Sequence, residues 1–426
     1  MIRSLYSILL YLATPFFLRK LYKSQDDKPA YGPRWREHFG ICPPLQSRHP
    51  IWIHAVSVGE VIAATPLIKA IQQVYPEQMV LITTTTSTGA AQAEKLSGLV
   101  EHRYMPLDFS WAIKRFLRVT QPKVLLIMET ELWPNTLAQA QRREIPVYVL
   151  NARLSERSCR RYKKVQPLFN TVRDNIDYLL CQHDDDAQRF LQLGLHEEQI
   201  AVTGSIKFDI TIHQGIRDKG NQLRLALGQQ RSVWIAASTH QGEDEQLLDA
   251  FNRVRAEIPD LLLILVPRHP ERFADVAELC RSTGLNVIRR TEVSSDTVPD
   301  SCDVYLGDTM GEMLVMLAAA DIAFIGGSLL GNKVGGHNLL EPAALAKPII
   351  TGPSYFNFAD ITQQLLDHNG CIVCQDSIAI AKQLTYWFKD QASREKTGQQ
   401  ALQVVKLNQG AIQKTINKLN PVLIAE

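Results

Sequence analysis

The sequence predicts an α/β protein of two doubly wound halves, each a parallel sheet with crossover helices. Three observations carry this expectation. Short apolar runs bounded by turn residues alternate with amphipathic stretches along the chain. At 426 residues the chain is long enough for two domains with proper cores. Between the halves, residues 209–221 lose the pattern and read as an interdomain linker. A membrane-anchoring segment is expected over 1–22, a first domain over 23–210, and a second domain with terminal helices over 211–426.

The N-terminal segment comes first. From Ser4 to Leu18 the chain carries no charge and is dominated by Leu, Ile, Tyr and Phe, with Arg3 before the run and Arg19, Lys20 and Lys23 after it. Fifteen helical residues extend roughly 22 Å, short of the ~30 Å hydrocarbon core. No small-x-small cleavage site follows, which argues against a removed leader. The basic flank and aromatic residues suit an anionic lipid interface. Membrane attachment is therefore expected, spanning or lying in one leaflet, with the body on the cytoplasmic side; a buried core helix is the alternative. Residues 1–50 hold eight Lys/Arg against three acids, while the whole chain is only +2. That balance argues against nucleic acid as the main partner.

Hydrophobic residues make up 45% and charged residues 21%, an ordinary globular composition. Seven scattered cysteines read as free thiols in a reducing compartment. Cys371 and Cys374 have C-x-x-C spacing, but Ile372 and Val373 between them suggest a buried strand, and no second pair or His cluster supports zinc.

Strands are expected at 51–54, 80–83, 124–128, 147–150 and 178–181 in the first half. In the second they fall at 233–236, 261–266, 303–306, 322–325 and 348–350. Doubly wound sheets bind ligands beyond the carboxyl ends of their strands, so two such domains facing each other would share a cleft.

The polar residues at those ends are the candidate site. IWIHAVSVGE places Glu60 at a helix start, where a carboxylate suits the dipole and is also a plausible general base. Glu129 follows five apolar strand residues, where a carboxylate is costly unless used or paired, and Glu131 is its solvated or capping companion. Lys207 in TGSIKFD brings a cation near the linker. Three ionisable groups at strand ends of one domain outweigh any one alone. In the second half, LLLILVPRHPER delivers Arg268, a planar phosphate partner, and His269. Thr309, Met310 and Gly311 form another strand-to-helix turn with backbone N–H groups for a ligand, a theme repeated at residues 326–328.

Residues 335–353 read as an anion site. Gly335 and Gly336 allow close backbone approach, and His337 and Asn338 supply side-chain donors. A short helix is expected to start near Leu340, with Pro342 in its first turn and Glu341 as an acceptor for ribose hydroxyls. Separately, Arg153, Arg157, Arg160, Arg161, Lys163 and Lys164 form a basic cluster opposed by Glu156 alone. A solvated helix face and a contact for an anionic headgroup or phosphorylated lipid explain it equally.

Together these motifs closely resemble the 3-deoxy-D-manno-octulosonic acid (Kdo) transferases of Gram-negative bacteria. The resemblance runs through RWREHFG (34–40), SVGE (57–60), METELWPN (128–135), NARLS (151–155), TGSIKFD (203–209), PRHPER (267–272), GDTMGE (307–312) and GGHNLLEP (335–342). It implies a GT-B fold, two Rossmann-like domains with the donor held mainly by the second. It also implies transfer of Kdo from CMP-Kdo to the tetraacylated lipid A precursor at the cytoplasmic face of the inner membrane. Carried across, Glu60 becomes the general base, and Glu129 and Lys207 stabilise the transition state. Arg268, His269, Thr309 to Gly311 and Gly335 to Asn338 contact CMP. One departure is GGSLLGNKVGGHN, longer between its Gly-Gly pairs than the family's form. CMP is a good leaving group, so Arg268 and helix starts could neutralise its phosphate without a metal or other cofactor, and an in-line hydroxyl implies inversion. A UDP-sugar enzyme of the same fold and a membrane-tethered, non-catalytic nucleotide binder are the competing readings.

Overall fold

Two seven-stranded sheets, each parallel throughout, form the body of the protein, and each is assembled by its own unit of the chain. The computed structural model describes residues 2–22, 29–293 and 297–424. Lys23 of the basic flank therefore lies outside the described residues.

The first sheet contains β1 (Ile51–His54), β2 (Val80–Thr84), β3 (Val100–Tyr104), β4 (Val124–Met128), β5 (Val147–Ala152), β6 (Tyr178–Cys181) and β7 (Ile200–Val202). Their order is β3-β2-β1-β4-β5-β6-β7. Alternate residues of the central strands point to opposite faces. Trp52, Leu81 and Leu125 join a core with Phe116 and Phe169, while Ile53, Ile82 and Leu126 join another with Leu67 and Ile71. Because both faces are covered, these strands are apolar runs.

The second sheet contains β8 (Val233–Thr239), β9 (Leu262–Pro267), β10 (Val287–Arg289), β11 (Val304–Leu306), β12 (Ile322–Ile325), β13 (Ile349–Thr351) and β14 (Cys371–Val373). Their order is β10-β11-β9-β8-β12-β13-β14. Cys371 and Cys374 are buried free thiols at the β14 edge, and burial pushes the Cys374 thiol up to about 11.

Two expectations about the chain path need correction. The stretch 209–221 is not a linker throughout: Gln214–Leu227 is a helix that buries Gly220, Leu223 and Leu227, leaving a short crossing before it. The terminal helices do not all belong with the second sheet. The first unit ends at Asp209 and resumes at Gln409. Helix Ala411–Ile424 gives Ala411, Ile416, Leu419 and Leu423 to the core of the first sheet. Both backbone N–H groups of Gly410 and Ile412 donate to the carboxylate of Asp209, pinning the return of the chain to its exit.

The N-terminal helix α1 (Ile2–Leu21) is neither a core helix nor detached from the body. The Tyr6 hydroxyl donates to Asp108 at 3.0 Å, Asn135 Nδ2 donates to Ser7 Oγ at 3.0 Å, and Tyr11 stacks on Phe109 with ring centroids 4.7 Å apart. Asp108 also accepts the N–H groups of Asn135 and Thr136 and the Thr136 hydroxyl. On the other side Leu5, Ile8, Leu9, Leu12 and Phe16 are exposed, and none of the described α1 side chains is buried. Among the described residues no helix is long and apolar enough to cross a membrane.

Candidate active site

The order of the first sheet reverses direction between β1 and β4, the position where doubly wound sheets bind ligands. Glu60 and Glu129 stand at the carboxyl ends of these two strands. Helix α2 (Val58–Val74) begins after Ser57 and carries Glu60 in its first turn. The Glu60 carboxylate reaches back to accept the Val56 N–H at 2.8 Å and the Ser57 hydroxyl at 3.0 Å. Burial is the main cause that raises its pKa to about 7, opposed by those two hydrogen bonds and aided by the charges of Glu129 and Glu131. This carboxyl, held in place by its own loop, is the candidate for the base expected from the sequence.

Glu129 adopts a left-handed backbone, φ 57°, as does Asn151 at the end of the neighbouring β5, φ 54°. Non-glycine residues pay for that conformation. The Glu129 N–H still donates to Leu150 O at 2.9 Å, so the strand pairing ends cleanly while the side chain is re-aimed. Glu129 Oε1 lies 3.5 Å from Lys207 Nζ. Glu131 accepts the Trp133 indole N–H at 3.1 Å. Asn151 is a site residue that went unassigned in the sequence. Its Oδ1 accepts the Ile206 N–H at 3.1 Å and so sets the turn Ile206–Phe208 that carries Lys207, while its Nδ2 is buried without a protein partner. The signal was its place at the head of NARLS, directly after an apolar strand.

In the second unit the strand order reverses between β8 and β12. His240 follows β8, and Arg268 and His269 follow the adjacent β9. His240 Nε2 and His337 Nε2 are 2.8 Å apart with rings stacked at 6°, and His269 stands edge-on to His240 at 5.3 Å. Nitrogens that close share one proton. Burial is the main cause holding both imidazoles neutral, His337 down to about 4, with the neighbouring histidine and Arg268 adding to it. Arg268 also acts on Glu341, whose carboxyl burial raises. Arg268, His269, His337 and Glu341 thus come together as the sequence suggested, with His240 as an addition.

Gly335 and Gly336 take left-handed conformations, φ 90° and 79°. A Cβ on Gly335 would stand 2.4 Å from the Phe356 ring, so only glycine fits. Asn338 Oδ1 accepts the Leu340 N–H at 3.0 Å and Nδ2 faces Glu341 at 3.4 Å, which opens the helix Leu340–Ala344. The longer loop before it is a surface turn, Gly331–Lys333.

Thr309 to Gly311 follow β11, the strand beyond β9. The Met310 side chain is exposed, and Thr309 donates to Glu312, which Arg290 grips through two bonds of 3.0 and 3.1 Å. The expectation for residues 326–328 needs correction. Their N–H groups are not open to a ligand, because the fully buried carboxylate of Glu243 takes those of Gly327, Ser328 and Leu329, and that of His240. Glu243 looked in the sequence like an ordinary acidic helix start. In the fold it ties the β8 and β12 loops into one frame beneath His240.

The basic cluster divides. Arg157, Arg160, Arg161, Lys163 and Lys164 are exposed on the helix Glu156–Lys164 or its turn, with Arg160 3.8 Å from Glu156. Arg153 is exposed on the preceding loop, and its carbonyl accepts the Thr130 hydroxyl. No cluster of three or more His, Cys, Asp or Glu able to hold a metal ion occurs among the described residues.

Residues 33–210 match the family model of 3-deoxy-D-manno-octulosonic-acid transferase (kdotransferase). A 3-deoxy-D-manno-octulosonic acid transferase of Haemophilus influenzae is 41% identical over 429 residues, covering 99% of each chain. One from Bordetella pertussis is 35% identical over 390 residues, covering 89% of each. In fold, the structure is similar to HepE from Anabaena in complex with UDP, with TM-score 0.56 and 13% identity over 87% of this chain and 99% of that one; at that identity only the GT-B-like α/β architecture is shared. With two carboxylates at the switch point of one sheet and an arginine–histidine cluster at that of the other, the chain belongs to the Kdo transferase family.

Proposed function

We propose that the protein is an inverting glycosyltransferase that moves Kdo from CMP-Kdo to the tetraacylated lipid A precursor, lipid IVA, in lipopolysaccharide core assembly. The observation that carries this reading is Glu60, whose carboxyl is raised to about 7 in the first turn of α2 beside Glu129 and Glu131. As the anomeric carbon becomes oxocarbenium-like, the acceptor hydroxyl must lose a proton, and Glu60 takes it. Lys207, 3.5 Å from Glu129, supplies positive charge that balances the donor's carboxylate, and Glu129 faces the developing cation.

The donor's phosphate is assigned to Arg268 with His269, His337 and the N–H groups around Gly335 and Gly336; Thr309 to Gly311 border the cytidine, and Asn338 and Glu341 its ribose. Charge-assisted hydrogen bonds from arginine suit a phosphodiester leaving as CMP. The chemistry so assigned needs no metal. The acceptor's phosphates fall to Arg153, Arg157, Arg160 and Arg161, and the exposed apolar face of α1 is assigned to the cytoplasmic face of the bacterial inner membrane.

Incubation with CMP-Kdo and lipid IVA, followed by mass spectrometry of the lipid, tests the whole reading and counts the sugars added. Tighter binding of UDP than CMP would overturn the donor assignment.

A further inference from the structure

A cavity of about 1160 Å³ opens within the first unit, behind α1. That exceeds the ~300–1,000 Å³ of sites that enclose a drug-sized ligand. Its walls are mostly apolar: Leu10, Phe17, Leu18 and Leu21 of α1 face Trp35 and Phe39 on one side and Leu168, Phe169 and Val172 of the helix Gln166–Arg173 on the other. A large apolar cavity in contact with water is unfavourable unless something apolar fills it.

Two of its borders lead to the candidate catalytic carboxylates. Thr85 and Thr86 line it, and both donate to the carbonyl of Val56, the residue whose N–H is held by Glu60. Leu132 and Trp133 also line it, and the Trp133 indole donates to Glu131, two residues from Glu129. A third border is the helix Glu156–Lys164, which carries the exposed basic cluster. Tyr162 contributes to the wall, while its neighbours Arg161 and Lys163 on the same helix are exposed. The cavity is therefore apolar inside, lies against the helix that carries the basic cluster, and is joined through the Val56 loop to Glu60. That sequence of environments matches an amphiphile with fatty chains, phosphates and a reactive hydroxyl.

We propose that this cavity holds an acyl chain of a phosphorylated amphiphilic acceptor, so that α1 is a wall of the acceptor site as well as a surface for the bilayer. The inference rests on the reading of the acceptor as a lipid. It goes further in assigning acyl recognition to the protein interior, which makes the lipid part of the acceptor a determinant of binding and alignment.

The probe is a lysophosphatidic acid carrying a dibrominated acyl chain, used below its micelle concentration, with bromine quenching of tryptophan emission read in the full-length protein. Wild-type emission should be quenched; because Trp35 and Trp133 both line the cavity, Trp133→Phe should remove part of that quenching and Trp35→Phe combined with Trp133→Phe most of it. Leu10→Glu, which puts a charge into the cavity wall, should weaken the response by about tenfold or more. Leu12→Glu, the same change on the exposed face of the same helix, should leave it nearly unchanged and controls for folding of α1. No quenching in the wild type, or equal losses in the two variants, would overturn the proposal, the second because it marks surface adhesion. Transfer assays run in parallel separate the readings: quenching lost only in Leu10→Glu supports the cavity whatever the transfer assay returns, and transfer without quenching removes the cavity while leaving the enzyme reading intact.

Discussion

Lys207 Nζ lies 3.5 Å from Glu129 Oε1, each side chain about one third exposed, 34% in both cases. An ion pair so open to water contributes little to folding, about 0–1 kcal/mol. Its persistence at the end of β4, on a residue with left-handed backbone, fits a pair kept for chemistry. Lys207→Met should leave the melting temperature almost unchanged while turnover falls at least tenfold, on the order of one lost electrostatic contact in a transition state. Unfolding curves and steady-state kinetics on one preparation check this; a parallel loss of stability would make the pair structural.

Glu60→Gln keeps the shape of the side chain and removes the base. Turnover should fall roughly 10²–10⁴-fold with CMP affinity unchanged. In the wild type, turnover should rise with pH through about 7 as Glu60 deprotonates. The stability consequence has the opposite direction. A carboxyl whose folded pKa is raised above its unfolded value adds stability at low pH, and loses that contribution as pH rises through about 7. Glu60→Gln should flatten this part of the stability profile, measured by denaturant unfolding between pH 4 and 8.

Arg268→Ala removes the cation assigned to the donor phosphate. Donor affinity should fall by about 1.5–3 kcal/mol, seen in CMP titration calorimetry, with acceptor KM little changed. Unchanged CMP affinity would refute the assignment.

Asn151→Ala leaves the Ile206 N–H without its side-chain acceptor. The expected cost is about 1–3 kcal/mol of stability, together with a loss of turnover exceeding the loss of folded protein, because Lys207 is carried on the turn released. Asn151→Asp, which keeps the accepting oxygen, should recover stability more fully than activity.

Removing residues 1–22 should release the protein from anionic vesicles and leave CMP binding intact, because no described side chain of α1 is buried. Salt should loosen the full-length protein only in part, each Lys/Arg near the surface contributing on the order of 1 kcal/mol and the apolar face holding the rest. Loss of CMP binding on truncation would sink this prediction.

How much of this was legible depended on burial. Central strands such as Val124–Met128 and Ile322–Ile325 are covered on both faces and stand out as apolar runs. Three strands went unread: Val100–Tyr104, Ile200–Val202 and Val287–Arg289, all at sheet edges. An edge strand buries less, and VEHRY and VIR carry charges that hide it. In the site, Glu60, Glu129, Arg268 and His337 were legible because each follows an apolar strand or glycine turn. Glu243 and Asn151 were not, since each acts on backbone groups from distant segments: Glu243 on Gly327 to Leu329, and Asn151 on Ile206. Only the folded chain brings those segments together. The return of the last helix was hidden for the same reason, its apolar stripe being equally suited to either sheet.

The double clasp of Asp209 on Gly410 and Ile412 also dictates a schedule. During synthesis the first two hundred residues emerge with one flank of their sheet lacking the side chains of Ile416, Leu419 and Leu423. They must wait for the entire second unit to be made before the missing helix arrives. The earlier half is therefore the later one to mature, and a ribosome stalled anywhere beyond Asp209 and short of the closing helix leaves an apolar groove open to chaperones and proteases. A break in translation near the end of the message would thus be felt at Ile68 and Ile71 of α2, which share that core, although the lost residues lie more than three hundred positions away.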